Sequence, residues 1–420
     1  MGIAWHYKGA LVVALVATVP VACGVQDPSD EAAEVSPAAV APAAAPAARV
    51  RETPTFAWEI EEVDAGVSPD LTLTSDGVVY VAYIREGENG SVRSAARNGA
   101  GWDITTVTEG GIFGTLSMAI GPDDVAHISY YGGEAPTRRG RFRRNRGDVT
   151  YAVLRNGEWS VGPPLNQESV TPSRRRGGWD SKIVVDAEGT PHLSTTRPNS
   201  SENGIAYNVR DRSGEWVLEE IASGFQRLDD AVSLAIDPLG NPHISYLDRE
   251  FRTLSLASRN KAGWNVDIVD DESESGMFSS LVIDETGRFH ISYLQMTGTT
   301  TGTVKYATIG QDDSAWEIRE VGALQHLSYV WPGPRRFTSM VVDREGNPWI
   351  AYSDEKVLNL AVWDGSSWQT QPVVDAGDRR LGQVVSLKLD SRGHPHLAYF
   401  EVTSKSPLTG VVKYAKGALE

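Results

Sequence analysis

From Val232 to Ile236, and again from Pro242 to Asp248, apolar and polar side chains alternate one for one: Val232-Ser233-Leu234-Ala235-Ile236 and His243-Ile244-Ser245-Tyr246-Leu247-Asp248. A period of two puts successive side chains on opposite faces, so both runs are predicted strands. Between them lies Asp237-Pro238-Leu239-Gly240, a tight-turn signal. A third apolar run follows at Thr253-Leu254-Ser255-Leu256-Ala257, and a fourth at Gly263-Trp264-Asn265-Val266-Asp267-Ile268-Val269-Asp270. The pattern predicts four strands, A to D, in a unit that recurs at about fifty residues, a spacing that signals a repeat architecture. The D-strand tryptophan marks the copies: Trp58, Trp102, Trp159, Trp216, Trp264, Trp316 and Trp368, seven in all.

The ends of the repeat predict its closure. The first D strand, Phe56-Ala57-Trp58-Glu59-Ile60-Glu61-Glu62-Val63, has no A, B or C before it, and the last unit, Val385 to Ala415, has no D after it. Each fragment completes the other if the array forms a ring, which removes open sheet edges. The expected fold is all-β: a seven-bladed β-propeller of four-stranded antiparallel blades, closed by an N-terminal strand in the last blade. A solenoid would want capped ends instead. The unit resembles the Ser-Leu-x-x-Asp-x-x-Gly-x-Pro-His-Ile-x-Tyr repeat of exported bacterial propellers, with a register similar to NHL-type blades, a group loosely described as sialidase-like or BNR-like. The resemblance covers residues 56–418 and implies a fold rather than a function. The chain lacks a recognisable Ser-x-Asp-x-Gly-x-x-Trp box and the Arg-Ile-Pro motif, which counts against a sialidase.

Upstream of the repeat the chain reads differently. Lys8 precedes the apolar run Ala10–Ala17, which has signal-peptide length and is too short for a mature membrane span. It ends at Pro20-Val21-Ala22-Cys23-Gly24, where Cys23 is the protein's only cysteine. This resembles the lipobox of bacterial lipoproteins, with Pro20 where Leu is usual, and implies lipidation of Cys23. Ordinary secretion after cleavage near Ala22 is the alternative. Residues 24–55 are Ala/Pro-rich and read as a tether, leaving residues 56–420 as the propeller. An exported protein is therefore expected, either lipid-anchored at the cell envelope or free. The formal charge of −16 argues against a general nucleic-acid binder.

The repeat supplies its own baseline. Strand B carries histidine at one equivalent position in five units: His127, His192, His243, His290 and His396. Copies of one position are a blade apart and do not converge, so they are expected to be packing residues with one satisfied hydrogen bond, not metal ligands. No cofactor is expected. The aspartates of the A–B turn (Asp186, Asp237, Asp284, Asp343 and Asp390) are expected to cap the turn, and the D-strand tryptophans to pack between blades.

Function is expected on the face of the B–C and D–A loops, because these vary while the scaffold repeats. That face is basic. One B–C loop carries Arg138, Arg139, Arg141, Arg143, Arg144 and Arg146, and other loops carry Arg174–Arg176, Arg227, Arg335 and Arg336, Arg379 and Arg380. The guanidinium fork suits carboxylate, sulfate and phosphate; plain surface or docking to an acidic partner is the alternative. At the start of strand A the series Ser117, Ser233, Ser280, Ser339 and Ser386 is broken by Asp70 in blade one and Lys182 in blade three. At the end of strand B, the series Asp248, Gln295, Asp354 and Glu401 becomes Arg85 and Arg197 in the same two blades. Trp179 beside Asp180, and Trp331, are candidate sugar platforms.

Two functions follow. One is a tethered binding or scaffold propeller, its ligand an anionic glycan or an extracytoplasmic protein. The other is an enzyme on acidic polysaccharide. By fold-level resemblance to propeller polysaccharide lyases, His326 would be base, Tyr329 acid, and Arg197 or Arg336 the uronate neutraliser. A hydrolase using Asp70 and Asp180 is a further version.

Overall fold

The structure is a computed structural model that describes residues 54–86, 90–99, 101–110, 112–133, 147–163, 165, 180–197, 204–223, 232–248, 250–327, 336–405 and 408–419. Its strands form seven four-stranded antiparallel sheets, each ordered A-B-C-D. Blade four is representative: A is Ser233–Ile236, B Pro242–Asp248, C Thr253–Asn260 and D Gly263–Asp270. Blade seven is closed as the fragments predict. Strand Phe56–Ala65 pairs antiparallel with Leu408–Leu419, from Phe56↔Leu419 to Ala65↔Val411. The A strands touch their neighbours around the whole ring, and hydrophobic clusters fill the spaces between blades.

The A–B turn is built by its aspartate and glycine. Asp237 Oδ1 accepts the Leu239 and Asn241 N–H groups at 2.9 and 2.7 Å, and Gly240 sits at φ +84°, a conformation that disfavours side chains. The strand-B histidines have two partners each where one was expected. His290 Nδ1 meets the Tyr306 hydroxyl at 2.7 Å, and Nε2 meets Asp284 Oδ2 at 3.2 Å. His243 bridges Ser258 and Asp237 in the same way. In blade six Trp349 Nε1 donates to Asp343 at 3.2 Å, keeping the turn bond without a histidine. These bonds lie within one blade. Much of the contact between blades is instead made by the C-strand tyrosine against the next blade's D-strand tryptophan: Tyr151–Trp216 at 5.2 Å, Tyr207–Trp264 at 5.5 Å, Tyr306–Trp368 at 5.3 Å and Tyr414–Trp102 at 5.3 Å, all edge-to-face.

A second device stitches the blades at the axis. Strand A is the inner edge of each sheet, and an edge strand presents main-chain N–H groups that need acceptors. The residue at the start of strand A supplies one to the next blade. Ser233 Oγ accepts Leu281 N–H at 2.9 Å, Ser280 accepts Met340 N–H at 3.2 Å, Ser339 accepts Leu387 N–H at 3.0 Å, and Ser386 accepts Leu71 N–H at 3.1 Å. Ser117 does the same for Ile183 N–H at 3.3 Å. Hydroxyl pairs one residue away, such as Ser245–Ser279 at 2.8 Å, reinforce this belt. The serine series is thus a fold feature.

The histidine network predicts a pH response. Burial pushes His127 and His396 down to about 4, against the pull of nearby carboxylates, so both are neutral in the fold. The unfolded chain, with histidine near 6.5, binds more protons between these values, so stability falls as pH drops from about 6.5 to about 4. Each shift of this size puts on the order of 3 kcal/mol at stake. Thermal unfolding from pH 7.5 to 4.5 should show the loss, and His127→Gln with His396→Gln should flatten the slope. An unchanged slope in the double variant would contradict the assignment.

Candidate functional site

The axial channel opens on the B–C/D–A side, here the upper face, and the two breaks in the serine series meet there. Register makes the positions equivalent: Asp70↔Ala82, Lys182↔Ser194 and Ser233↔Ser245. Asp70 keeps the serine's task, because its Oδ2 accepts Met118 N–H at 2.9 Å. Its Oδ1 accepts the Ser386 hydroxyl at 2.7 Å, so the belt continues through it. The extra charge is answered across the channel. Lys182 Nζ lies 3.7 Å from Oδ2, and Arg336 Nη1 lies 3.2 Å from Oδ1. Arg336 enters from the segment before strand A of blade six and also donates to the Leu116 carbonyl at 3.3 Å. Burial alone would raise the Asp70 carboxyl, but the two cations and these hydrogen bonds hold it well below the usual carboxylate range.

Asp180 sits just above, at the entry to blade three. Its carboxylate bonds the Thr115 hydroxyl and accepts Val232 N–H at 3.0 Å. Burial raises its pKa, opposed by Arg336 and Thr115. Lys182 is pushed down to about 8 by burial, opposed by Asp70. A fifth charge joins them, Lys388, whose pKa burial also lowers. Lys388 was not among the sequence candidates. Its position, two residues after the belt residue, reads Thr72, Ala119, Val184, Ala235, Val282, Val341 and Lys388 around the ring. A lysine in that small and aliphatic series was the signal that could have found it.

Four sequence candidates therefore meet: Asp70, Asp180, Lys182 and Arg336. Two others lie elsewhere. Arg85 is exposed at the outer end of strand B, paired in register with Ser91. His326 is exposed between B–C loops. Its N–H reaches Asp354 Oδ2 at 3.2 Å, its carbonyl accepts Glu355 N–H at 3.2 Å, and the adjacent Leu327 N–H donates to the Thr300 carbonyl at 3.0 Å. The strand-B end series proves to be loop capping: Asp354 Oδ1 accepts Lys356 and Val357 N–H at 2.7 and 3.0 Å, and Asp248 accepts Glu250 N–H at 2.9 Å. Arginine at these positions has no acceptor to offer. Arg379 and Arg380 are tied to Glu401 and Glu355 at 2.5 and 2.7 Å. Cys23, Arg138, Arg139, Arg141, Trp179, Tyr329, Trp331 and the side chain of Arg197 lie outside the described residues. Among the described residues no group of three His, Cys, Asp or Glu is disposed to hold a metal.

This class of molecule, a closed seven-bladed propeller with a charged channel mouth, has relatives by fold. The chain is similar to a PL25 ulvan lyase solved bound to -[GlcA(1-4)Rha3S]-, at 14% identity and TM-score 0.53, covering 84% of this chain and 94% of that one. It is similar to the polysaccharide lyase Uly1 at 11% identity and TM-score 0.50, covering 84% and 90%. A Trypanosoma rangeli sialidase is matched at 10% identity and TM-score 0.47, over 84% of this chain and 54% of that one. No family model matches the sequence, and no curated protein matches it.

The Asp70–Lys182 contact is testable as a pair. Asp70→Ser keeps an acceptor for Met118 but strands two cations, at a cost of about 3 kcal/mol. Adding Lys182→Ser restores the repeat's own residue in both blades and should recover at least about 1 kcal/mol in denaturant unfolding. Strictly additive costs would show the two residues to be uncoupled.

Proposed function

We propose that this is an exported, surface-tethered propeller whose upper face binds an anionic glycan. The observation that carries this reading is the charge of the channel mouth, where Lys182, Arg336 and Lys388 stand against Asp70 and Asp180 in a chain of formal charge −16. Rigid propeller walls hold these groups, and variable loops surround them. The fold likeness to polysaccharide lyases, one solved with a uronate- and sulfate-bearing unit, supports an acidic glycan over an acidic protein. The route of entry also fits. Phe56 begins at the opposite face, 5.8 Å from Trp349 beside an A–B turn, so an anchor at Cys23 would leave the channel mouth facing away from the membrane.

A second reading, a lyase on the same glycan, is favoured by the position of His326. Its side chain is exposed and its backbone is fixed by Asp354 and Glu355. A base held this way reaches solvent-borne substrate, and a neighbouring arginine would stabilise the developing enolate.

Binding to acidic and neutral polysaccharides at low salt tests the first reading. The triple variant Arg138→Ala, Arg139→Ala, Arg141→Ala should bind acidic polymer about tenfold more weakly, as three exposed contacts at about 0.5 kcal/mol each would give. Undiminished binding would count against recognition by this face. Incubation with uronate polymers tests the second. Unsaturated product from wild type that disappears in His326→Ala supports a lyase, and none from wild type ends that reading.

A further inference from the structure

The belt around the axis has a gap. In six of the seven blades the residue at the start of strand A accepts an N–H from the next blade. In blade three that residue is Lys182, which has no acceptor to offer, and its ammonium turns back toward Asp70 of blade one. By register the amide it leaves is Leu234 N–H. Among the described residues this amide has no side-chain acceptor, while Asp180 serves Val232, two residues higher, at 3.0 Å. Lys388 faces the same channel, half-buried, and forms no ion pair with any described residue. The carboxylates nearby are already engaged: Asp70 by Met118, Ser386, Lys182 and Arg336, and Asp180 by Thr115 and Val232.

We propose that a small anion, a halide or an inorganic oxyanion, occupies this gap between blades three and four, accepting from Leu234 N–H and Lys182, with Lys388 and Arg336 supplying the surrounding positive field. An outward amide beside cations is the elementary anion receptor. Burial depresses both lysines, and a bound anion would relieve that depression. The site stands apart from the glycan reading, since it needs no polymer. The carboxylate or sulfate of a glycan is a second source of the same chemistry.

The test uses the whole protein. Thermal unfolding is titrated with sodium sulfate at constant ionic strength for wild type, Lys182→Ser and Lys388→Met. Wild type should show a saturable rise in Tm of about 2–4 °C. In Lys182→Ser, which returns a hydroxyl to Leu234 N–H, the rise should vanish, and in Lys388→Met it should shrink. Sulfate also stabilises proteins generally by exclusion, without saturation and equally in all three. An equal response in wild type and both variants therefore overturns the proposal. Crystals grown in bromide should give an anomalous peak at hydrogen-bonding distance from Leu234 N, and its absence also overturns it. If a short uronate oligosaccharide gives the saturable rise while sulfate and bromide do not, the gap belongs to the glycan and the small-anion site is refuted.

Discussion

The inner edge of each blade sets the terms for everything else. Strand A has a sheet partner on one side only, so its channel-side N–H groups must be satisfied from outside the blade or remain unpaired at a cost of about 1–3 kcal/mol each. The neighbouring blade's hydroxyl meets that need, and because each bond joins blade n to blade n+1, the series closes only when the ring does. Ser386 to Leu71 is the closing link, between residues 315 positions apart. The pairing of Phe56–Ala65 with Leu408–Leu419 closes the same blade at its outer edge. Inner and outer closure thus lock one interface, and the tyrosine–tryptophan contacts fill the space between.

Because the belt position is constrained, what can replace serine there is limited. Aspartate can, since a carboxylate accepts better than a hydroxyl, and Asp70 shows it. Its charge then has to be met in a partly buried place, where an unpaired ion is costly. Lys182 and Arg336 meet it from two other blades. Lysine cannot fill the acceptor role, so the substitution that neutralises one interface opens another. The charge cluster and the belt gap are therefore two consequences of one exchange, and chemistry gathers where the repeat is broken.

The fold was legible because its causes are local. Period-two alternation, the Asp-x-x-Gly turn and the recurring tryptophan are each read within a few residues, and ring closure follows from counting fragments. The deviations at Asp70 and Lys182 were also visible against the repeat. Their pairing was not, because 112 positions separate them and only the curvature of the ring brings them together. Arg336 was visible as a loop arginine but not as a channel residue, since it lies outside any strand pattern and its reach past blade seven is a matter of geometry. The strand-B histidines were rightly set aside as fold residues, but their second bond was missed: the turn aspartate six residues before His290 was seen only as a cap for its own turn.

The contrast between the chain's net charge and its channel bears on what can enter. Beyond roughly 8 Å, salt screens exposed charges at physiological ionic strength, so the formal −16 exerts little force on a ligand already at the mouth. Inside, walls of low polarisability strengthen each nearby charge, and the local count of three cations to two carboxylates dominates. Since both carboxylates are held by several donors while Lys388 has no ion partner among the described residues, the marginal electrostatic gain falls to an added negative group. A bulky polyanion would still be held off by the surface at long range in low salt. Selection is therefore by penetration: the ligand that gains most is one whose acidic group is small, or projects far enough, to reach the level of Lys182.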